Sequence, residues 1–244
     1  MSFHEPTSDI SRLNRAACFE TVTVDPATFI VLTNAQTLAE ESDGVFDITV
    51  ASRLVAWGFL PRPDGPSDPD ARPSWTDIEL TTTEQVRFRR PLWIDLGGIA
   101  KGYAVDQAIA AMNLPAHARV SVNAGGDLRV AGPAPERVRL RATVDSEHVP
   151  ILEIENASLA SSSGWDDRRA VDGETVGPHI NGKTRRAVGT QSFVSVVARD
   201  CMTADALTKI VLTQGQNSVE LLIRRGATAY FHDGGDWQTF GAMN

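Results

Sequence analysis

Residues 120–132 read VSVNAGGDLRVAG. Two short runs alternate apolar and polar side chains with period two, and Gly125-Gly126-Asp127 between them suits a tight hairpin. The same alternation recurs in RVRLRATVD (137–145), ILEIENASLASSS (151–163) and AVGTQSFVSVVA (187–198), and ATAYFHD (227–233) reads as a last strand. Consecutive alternating strands with occasional helices predict an α+β fold, with mixed and antiparallel sheets and packed helices, rather than a doubly wound sheet.

Upstream, DLGGIAKGYAVDQA (95–108) sets paired glycines ahead of a helix predicted over Ile99–Met112. VRFRR (86–90) and PLWIDLGG (91–98) read as a short strand pair interrupted by Pro91. Farther back, Asp25 and Pro26 are N-cap and first-turn residues of a helix. Its stripe is Phe29, Ile30, Leu32, Ala35, Leu38 and Ala39, and Ser42-Asp43-Gly44 ends it. The apolar VFDITVASRLVAWGFL (45–60) is expected to pack beside that helix, and Pro61 to Pro73 to form a surface loop. Downstream, helices are predicted at 203–213 and 216–225, the second closed by Gly226.

Composition excludes several function classes. Of 244 residues, 42% are hydrophobic and 22% charged, as in an ordinary globular chain. A net charge of −8 argues against a nucleic-acid partner, and Arg87, Arg89 and Arg90 read as a solvated strand edge. Two cysteines, Cys18 and Cys201, are too few for a disulfide framework. No apolar run reaches the roughly 18 residues of a membrane span. MSFHEPTSDI lacks the regions of a secretion signal, so a cytoplasmic location is expected.

Four stretches can carry chemistry. Helix-start N–H groups after Gly97-Gly98, with Lys101 close by, suit a pyrophosphate. Asn123 to Asp127 form a glycine turn that is equally at home in a plain hairpin. Ser161, Ser162 and Ser163 run into Gly164, where hydroxyls and N–H groups can meet a nucleobase or a phosphate. In CMTADALTKIVL, Asp205 is placed in the first turn of a helix, with Thr208 and Lys209 at i+3 and i+4 on the same face. Asp and Thr oxygens there suit a hard cation such as Mg²⁺, or the carboxylate simply complements the helix dipole.

In this order, SDISRLN (8–14), GVFDITV (44–50) with LVAWGF (54–59), DLGGIAKGYAVD (95–106), NAGGDL (123–128), SLASSSG (158–164), His179-Ile180 and ADALTK (204–209) resemble the ApbE family of FAD:protein FMN transferases. The resemblance spans about residues 3 to 215. It implies one domain over 1–244, of two T-fold-related subdomains with the flavin between them. The implied reaction uses Mg²⁺ to move FMN from FAD to a Ser or Thr of an acceptor protein, with AMP released. Metal ligands would be the Gly98 carbonyl and Asp205, with Thr208 also facing the ion. Val45, Phe46, Asp47, Asp95, Lys101 and Ile180 fall on FAD-contacting positions, and Asn123, Gly125, Gly126, Ser162, Ser163 and Gly164 on a second ring of contacts. Lys101, Asp205 and His179 are the expected catalytic residues, His179 as base or orienting group for the hydroxyl. The other histidines, His4, His117, His148 and His232, match no family position and are expected at the surface.

The chain departs from the family's pattern in three places. It begins inside the family's opening region, after the strand that carries a Met-Gly-Thr turn. His-Ile-Ile-Asp-Pro-x-Thr-Gly becomes HINGKTRRAV (179–188), with Asn181 in place of the aspartate. The usual threonine four residues after Asp205 is Lys209, which is expected to contact phosphate beside a weakened but retained metal. Hydrolysis of FAD to FMN and AMP, or flavin binding without catalysis, are the alternatives to transfer. The sequence does not define an oligomeric state.

Overall fold

The computed structural model describes residues 1–65, 69, 72–81, 83–113, 115, 117–141, 149–165, 167–189 and 191–242. His148 and residues 142–145 of the third predicted strand lie outside them, as do residues 66–68, 70 and 71 of the predicted surface loop. The chain forms two compact units. Met1–Gly98 and Arg169–Ala187 make the first, and Ile99–Arg168 and Val188–Asn244 make the second.

In the first unit, α1 (Asp9–Ala16) is capped by the Ser8 side chain, which accepts the N–H of Ser11. After β1 (Val22–Thr23), α2 (Pro26–Glu41) starts on Asp25, whose carboxylate accepts the N–H of Ala27. Its buried face is Thr28, Val31, Leu32, Ala35, Leu38 and Ala39, whereas Ile30 of the expected stripe points outward. A 3₁₀ turn (Ile48–Val50) leads into α3 (Ala51–Ala56), followed by β2 (Ile78–Leu80) and β3 (Gln85–Phe88). The sheet order is β1-β3-β2, so β3 is central. Arg87 is therefore solvated on one face of a middle strand, not on an edge. Arg89 pairs with Glu79 at 2.8 Å, an ion pair too exposed to add much stability, and Arg90 pairs with the buried Asp77 at 3.0 Å.

PLWID forms no strand. Leu92, Trp93 and Ile94 are buried, yet the backbone of Ile94 is satisfied by one side chain: Asn14 donates to its carbonyl at 3.1 Å and accepts its N–H at 2.8 Å. A buried amide thus does for this run what a neighbouring strand would do.

The second unit opens with α4 (Ala100–Ala111), then β4 (Val120–Ala124), β5 (Asp127–Ala131), β6 (Glu136–Arg139), β7 (Ile151–Ile154) and β8 (Ser158–Ser163). The chain returns to the first unit for the hairpin β9 (Arg169–Val171) and β10 (Glu174–Val176). It finishes in the second with β11 (Phe193–Ala198), α5 (Cys201–Gln214), a 3₁₀ turn, α6 (Val219–Arg224), β12 (Thr228–His232) and β13 (Gln238–Gly241). The last of these strands has no counterpart in the sequence reading.

Six strands form an antiparallel sheet in the order β13-β12-β11-β8-β5-β4. Leu128, Val130, Leu140, Ile154, Leu159 and Phe193 make a core cluster on it. Helix α5 is buried on nearly every side, through Cys201, Ala204, Ala206, Leu207, Ile210 and Val211. Its polar residues therefore have few places to point, and each must find a partner. Among the described residues, no helix is long and apolar enough to cross a membrane.

Candidate functional site

Three elements of the second unit bring Lys101, Asp127, Asp205 and Lys209 together. Lys101 lies in the first turn of α4, Asp127 opens β5 after the glycine hairpin, and Asp205 and Lys209 share one face of α5. The hairpin fits the sequence reading: Gly125 and Gly126 have φ of +64° and +99°, a pair that glycine adopts without strain. Asn123 accepts the N–H of Gly126 at 3.1 Å, so its side chain secures its own turn.

Asp205 is not in the first turn of its helix. Asp200 is the N-cap, accepting the N–H of Thr203, so Asp205 stands one turn farther in. Dipole complementation belongs to Asp200, and to Asp106 of α4, which accepts the N–H groups of Cys201 at 3.0 Å and Met202 at 2.9 Å. Arg129 holds Asp106 in place at 3.0 Å. Asp106 lies within the family-like run YAVD, but nothing local signals that it caps a helix far along the chain.

The side chain of Asp205 is fully buried. Its Oδ1 takes the Lys209 ammonium at 2.5 Å, and its Oδ2 lies 3.6 Å from Lys101 Nζ and 3.4 Å from the Gly102 N–H. Lys101 also donates to Asp127 Oδ2 at 2.5 Å, and half of its side chain is exposed. The other oxygen of Asp127, Oδ1, is buried without a hydrogen-bond partner among the described residues. Burial pushes the Asp205 carboxyl up, but Lys209 and Lys101 outweigh it and hold it below the ordinary value. Asp127 is raised, by burial first and by the Asp205 charge second, with Lys101 opposing. Burial alone would lower Lys101; the two carboxylates reverse that and raise it.

Ser162 and Thr208 complete the cluster. Thr208 donates to the Asp205 carbonyl at 2.6 Å, and its oxygen also meets Ser162 Oγ at 2.7 Å and Lys209 Nζ at 3.0 Å. Lys209 donates to Ser162 at 2.8 Å. Ser163 accepts the N–H of Trp165 at 3.1 Å, and Gly164 follows it, buried.

This donor set does not fit a divalent cation. Ammonium groups lie against both Asp205 oxygens, and both acceptor sites of the Thr208 hydroxyl are taken. A hard dication seeks about six oxygens. Beside an ammonium ~4 Å away it would be repelled by about 2 to 8 kcal/mol, at effective dielectrics of 80 down to 20. No group of three or more His, Cys, Asp or Glu capable of holding a metal occurs among the described residues. Lys209 also departs from its expected role: its three N–H hydrogens match three protein acceptors, which leaves none for phosphate. Lys101, half exposed and facing two carboxylates, is the ammonium with a hydrogen to offer.

The first unit holds the remaining candidates. Val45, Phe46 and Asp47 are buried, and the Val45 carbonyl accepts the N–H of Gly182 at 2.9 Å. The GVFD and HINGKTRR stretches are thus neighbours. Asp47 caps the 3₁₀ turn through Thr49 at 2.8 Å and takes Arg185 Nη2 at 2.9 Å, so its carboxylate is engaged within the unit. Asn181 accepts the N–H groups of Lys183 at 2.9 Å and Thr184 at 3.0 Å, so it shapes its own turn. Ile180 bridges to Ala187, and His179 before it is half-buried. Asp95 donates its N–H to the Ile48 carbonyl at 2.9 Å, and Gly98 is the last residue of the unit. His4 and His117 are exposed as expected, whereas His232 is buried, its ring 5.1 Å from that of Trp237. Its cover includes the Trp237 ring, a contact that no local pattern signals.

The sequence profile of the ApbE family matches residues 1–231. An FAD:protein FMN transferase of Vibrio cholerae serotype O1 is 30% identical over 231 residues, 88% of this chain and 69% of that protein. Another, from Salmonella typhimurium, is 24% identical over 250 residues, 95% of this chain and 71% of that protein. The crystal structure of the ApbE protein of Thermotoga maritima superposes with a TM-score of 0.82 at 26% identity, covering 97% of this chain and 82% of that one. That likeness bears out the α+β architecture of helices with antiparallel sheets.

Proposed function

The chain belongs to the ApbE family, and from that premise we propose that it transfers FMN from FAD to a Ser or Thr hydroxyl of an acceptor protein and releases AMP. The hydroxyl oxygen attacks the FMN-side phosphorus of the pyrophosphate. The bond from that phosphorus to the bridging oxygen breaks, and AMP leaves with the electron pair. The hydroxyl proton passes to a base, a role this reading gives to His179. Charge builds on the leaving phosphate, and a cation placed there stabilises the transition state more than the ground state.

The observation that carries this reading is Lys101, an ammonium half exposed and anchored 2.5 Å from Asp127, with Asp205 behind it. Mg²⁺, which the family resemblance implies, does not fit the residues around Asp205, so no step is routed through it. Val45, Phe46, Asp95, Ile180, Gly125, Gly126, Ser163 and Gly164 are assigned to flavin contact. Asp47, Asn123, Ser162 and Thr208 are assigned to holding those segments through the hydrogen bonds described above.

The test is to incubate the purified chain with FAD and a Ser/Thr-containing acceptor protein. The expected result is flavin fluorescence that stays with the denatured acceptor and AMP in equal amount. AMP release at an undiminished rate without acceptor would make the enzyme an FAD hydrolase. A thermal shift by FAD with no AMP at all would leave a flavin-binding protein.

A further inference from the structure

We propose that Lys209 stands in for the divalent cation: its ammonium fills the place on Asp205 that the family resemblance gives to Mg²⁺, and the phosphate chemistry of this chain proceeds without a metal. The claim about chemistry rests on the transferase reading above; the claim about Asp205 does not.

Three observations carry it. Lys209 Nζ lies within 3.0 Å of Asp205 Oδ1, Ser162 Oγ and Thr208 Oγ1, one acceptor for each of its hydrogens. The group is tucked in, with 19% of the side chain exposed, and Asp205 is wholly buried beneath it. The i, i+4 spacing on one largely buried helix presets the pair, so little side-chain entropy is lost in forming it. A buried carboxylate needs a counter-charge. Where a threonine occupied position 209, Asp127 and Asp205 would share Lys101 and the cluster would be one negative charge in excess. Lys209 removes that excess. It is a positioning residue: it neutralises Asp205 so that Lys101 can turn its remaining hydrogen to the phosphate.

The test compares the chain with its Lys209→Thr variant, both treated with a chelator. Free Mn²⁺ is followed by electron paramagnetic resonance during titration, and AMP release from FAD is followed with and without MgCl₂. The wild type is expected to show no saturable Mn²⁺ binding below about 1 mM. Its AMP release should change by less than about twofold on adding MgCl₂. Lys209→Thr should bind one Mn²⁺, lose about 100-fold in AMP release under chelation and recover with MgCl₂. Stoichiometric Mn²⁺ binding by the wild type, or metal-dependent AMP release from it, overturns the proposal. A folded Lys209→Thr that takes up no Mn²⁺ overturns it too. If neither protein processes FAD under any condition, the transferase reading fails, and the Mn²⁺ titration still decides what Asp205 holds. Should the variant not fold, the wild-type titration decides alone.

Discussion

Gly102 of α4 lies against Met202 of α5 so closely that a Cβ built on the glycine would stand 2.8 Å from the Met202 Cα. That approach puts the Gly102 N–H 3.4 Å from Asp205 Oδ2 and the neighbouring Lys101 ammonium 3.6 Å from the same oxygen. Two opposing effects meet in Gly102→Ala. Alanine improves helix propensity by about 1 kcal/mol. Forcing a methyl into packed backbone costs about 1 to 3 kcal/mol. The second should win, because the obstructing atoms are backbone and cannot rotate away. Urea denaturation should show a net loss, with AMP release reduced in parallel as Lys101 is moved. A more stable Gly102→Ala would contradict this.

Asp106 joins α4 to the start of α5 by accepting two N–H groups and one Arg129 bond. Asp106→Ala should therefore cost about 2 to 3 kcal/mol, combining a lost cap with a guanidinium that keeps only the neutral acceptors Arg199 O and Ser158 Oγ among the described residues. Asp106→Asn keeps one acceptor and should cost about half as much. Thermal unfolding of the two variants gives the order directly.

Asp205→Asn removes the charge between two ammoniums and should destabilise by about 3 to 5 kcal/mol. Adding Lys209→Met to it should restore more than half, because the stranded ammonium goes as well. A double-mutant cycle in urea reads the coupling, which should exceed about 1 kcal/mol. Additive losses would mean that the two groups do not neutralise each other in solution.

Asp127 and Asp205 contribute to acid stability with opposite signs. The raised Asp127 favours folding fully below the ordinary value of 3.8, and that contribution is lost as pH rises through its higher folded value. The lowered Asp205 stabilises above 3.8 and loses this as pH falls through its lower folded value. The stability of the wild type relative to Asp127→Asn should therefore fall as pH rises from about 4 and then level off. Urea midpoints across that range test the sign, and a rising difference would refute it.

Arg185 is bound to Asp47 and Thr49 Oγ1, both at 2.9 Å, and to the Pro73 carbonyl. Arg185→Ala leaves the Asp47 carboxylate buried, with Thr49 and the Trp75 N–H as its hydrogen-bond donors among the described residues. The loss should be about 3 kcal/mol. Arg185→Ala combined with Asp47→Asn should recover part of it, which thermal unfolding can measure.

Legibility in the sequence followed the range of the forces involved. Asp25-Pro26 marked the start of α2 because capping acts within three residues, and Asn123–Gly126 marked a hairpin because φ sign is a property of single residues. PLWID failed for the opposite reason. Its apolar run looks like a strand, but its hydrogen bonds go to Asn14, eighty positions away. Asp205 lies a turn deeper than its local pattern suggests because Asp200 is the N-cap, while Asp106 accepts the N–H groups of Cys201 and Met202. Ile30 shares the apolar periodicity of α2 yet is exposed, because periodicity defines a stripe and not its edges.

The sequence by itself determined the family, the alternation of strands and helices, and which side chains could carry phosphate chemistry, since motif order and local periodicity are written along one dimension. Tertiary structure decided which charges cancel. Lys101, Asp127, Ser162, Asp205 and Lys209 come from two helices and two strands, and their pairing depends on distances of 2.5 to 3.6 Å inside a buried cluster. Electrostatic energy varies with separation and with the loss of water around each group. Neither quantity exists until the chain has folded, so the occupant of Asp205 could be read only from the folded protein.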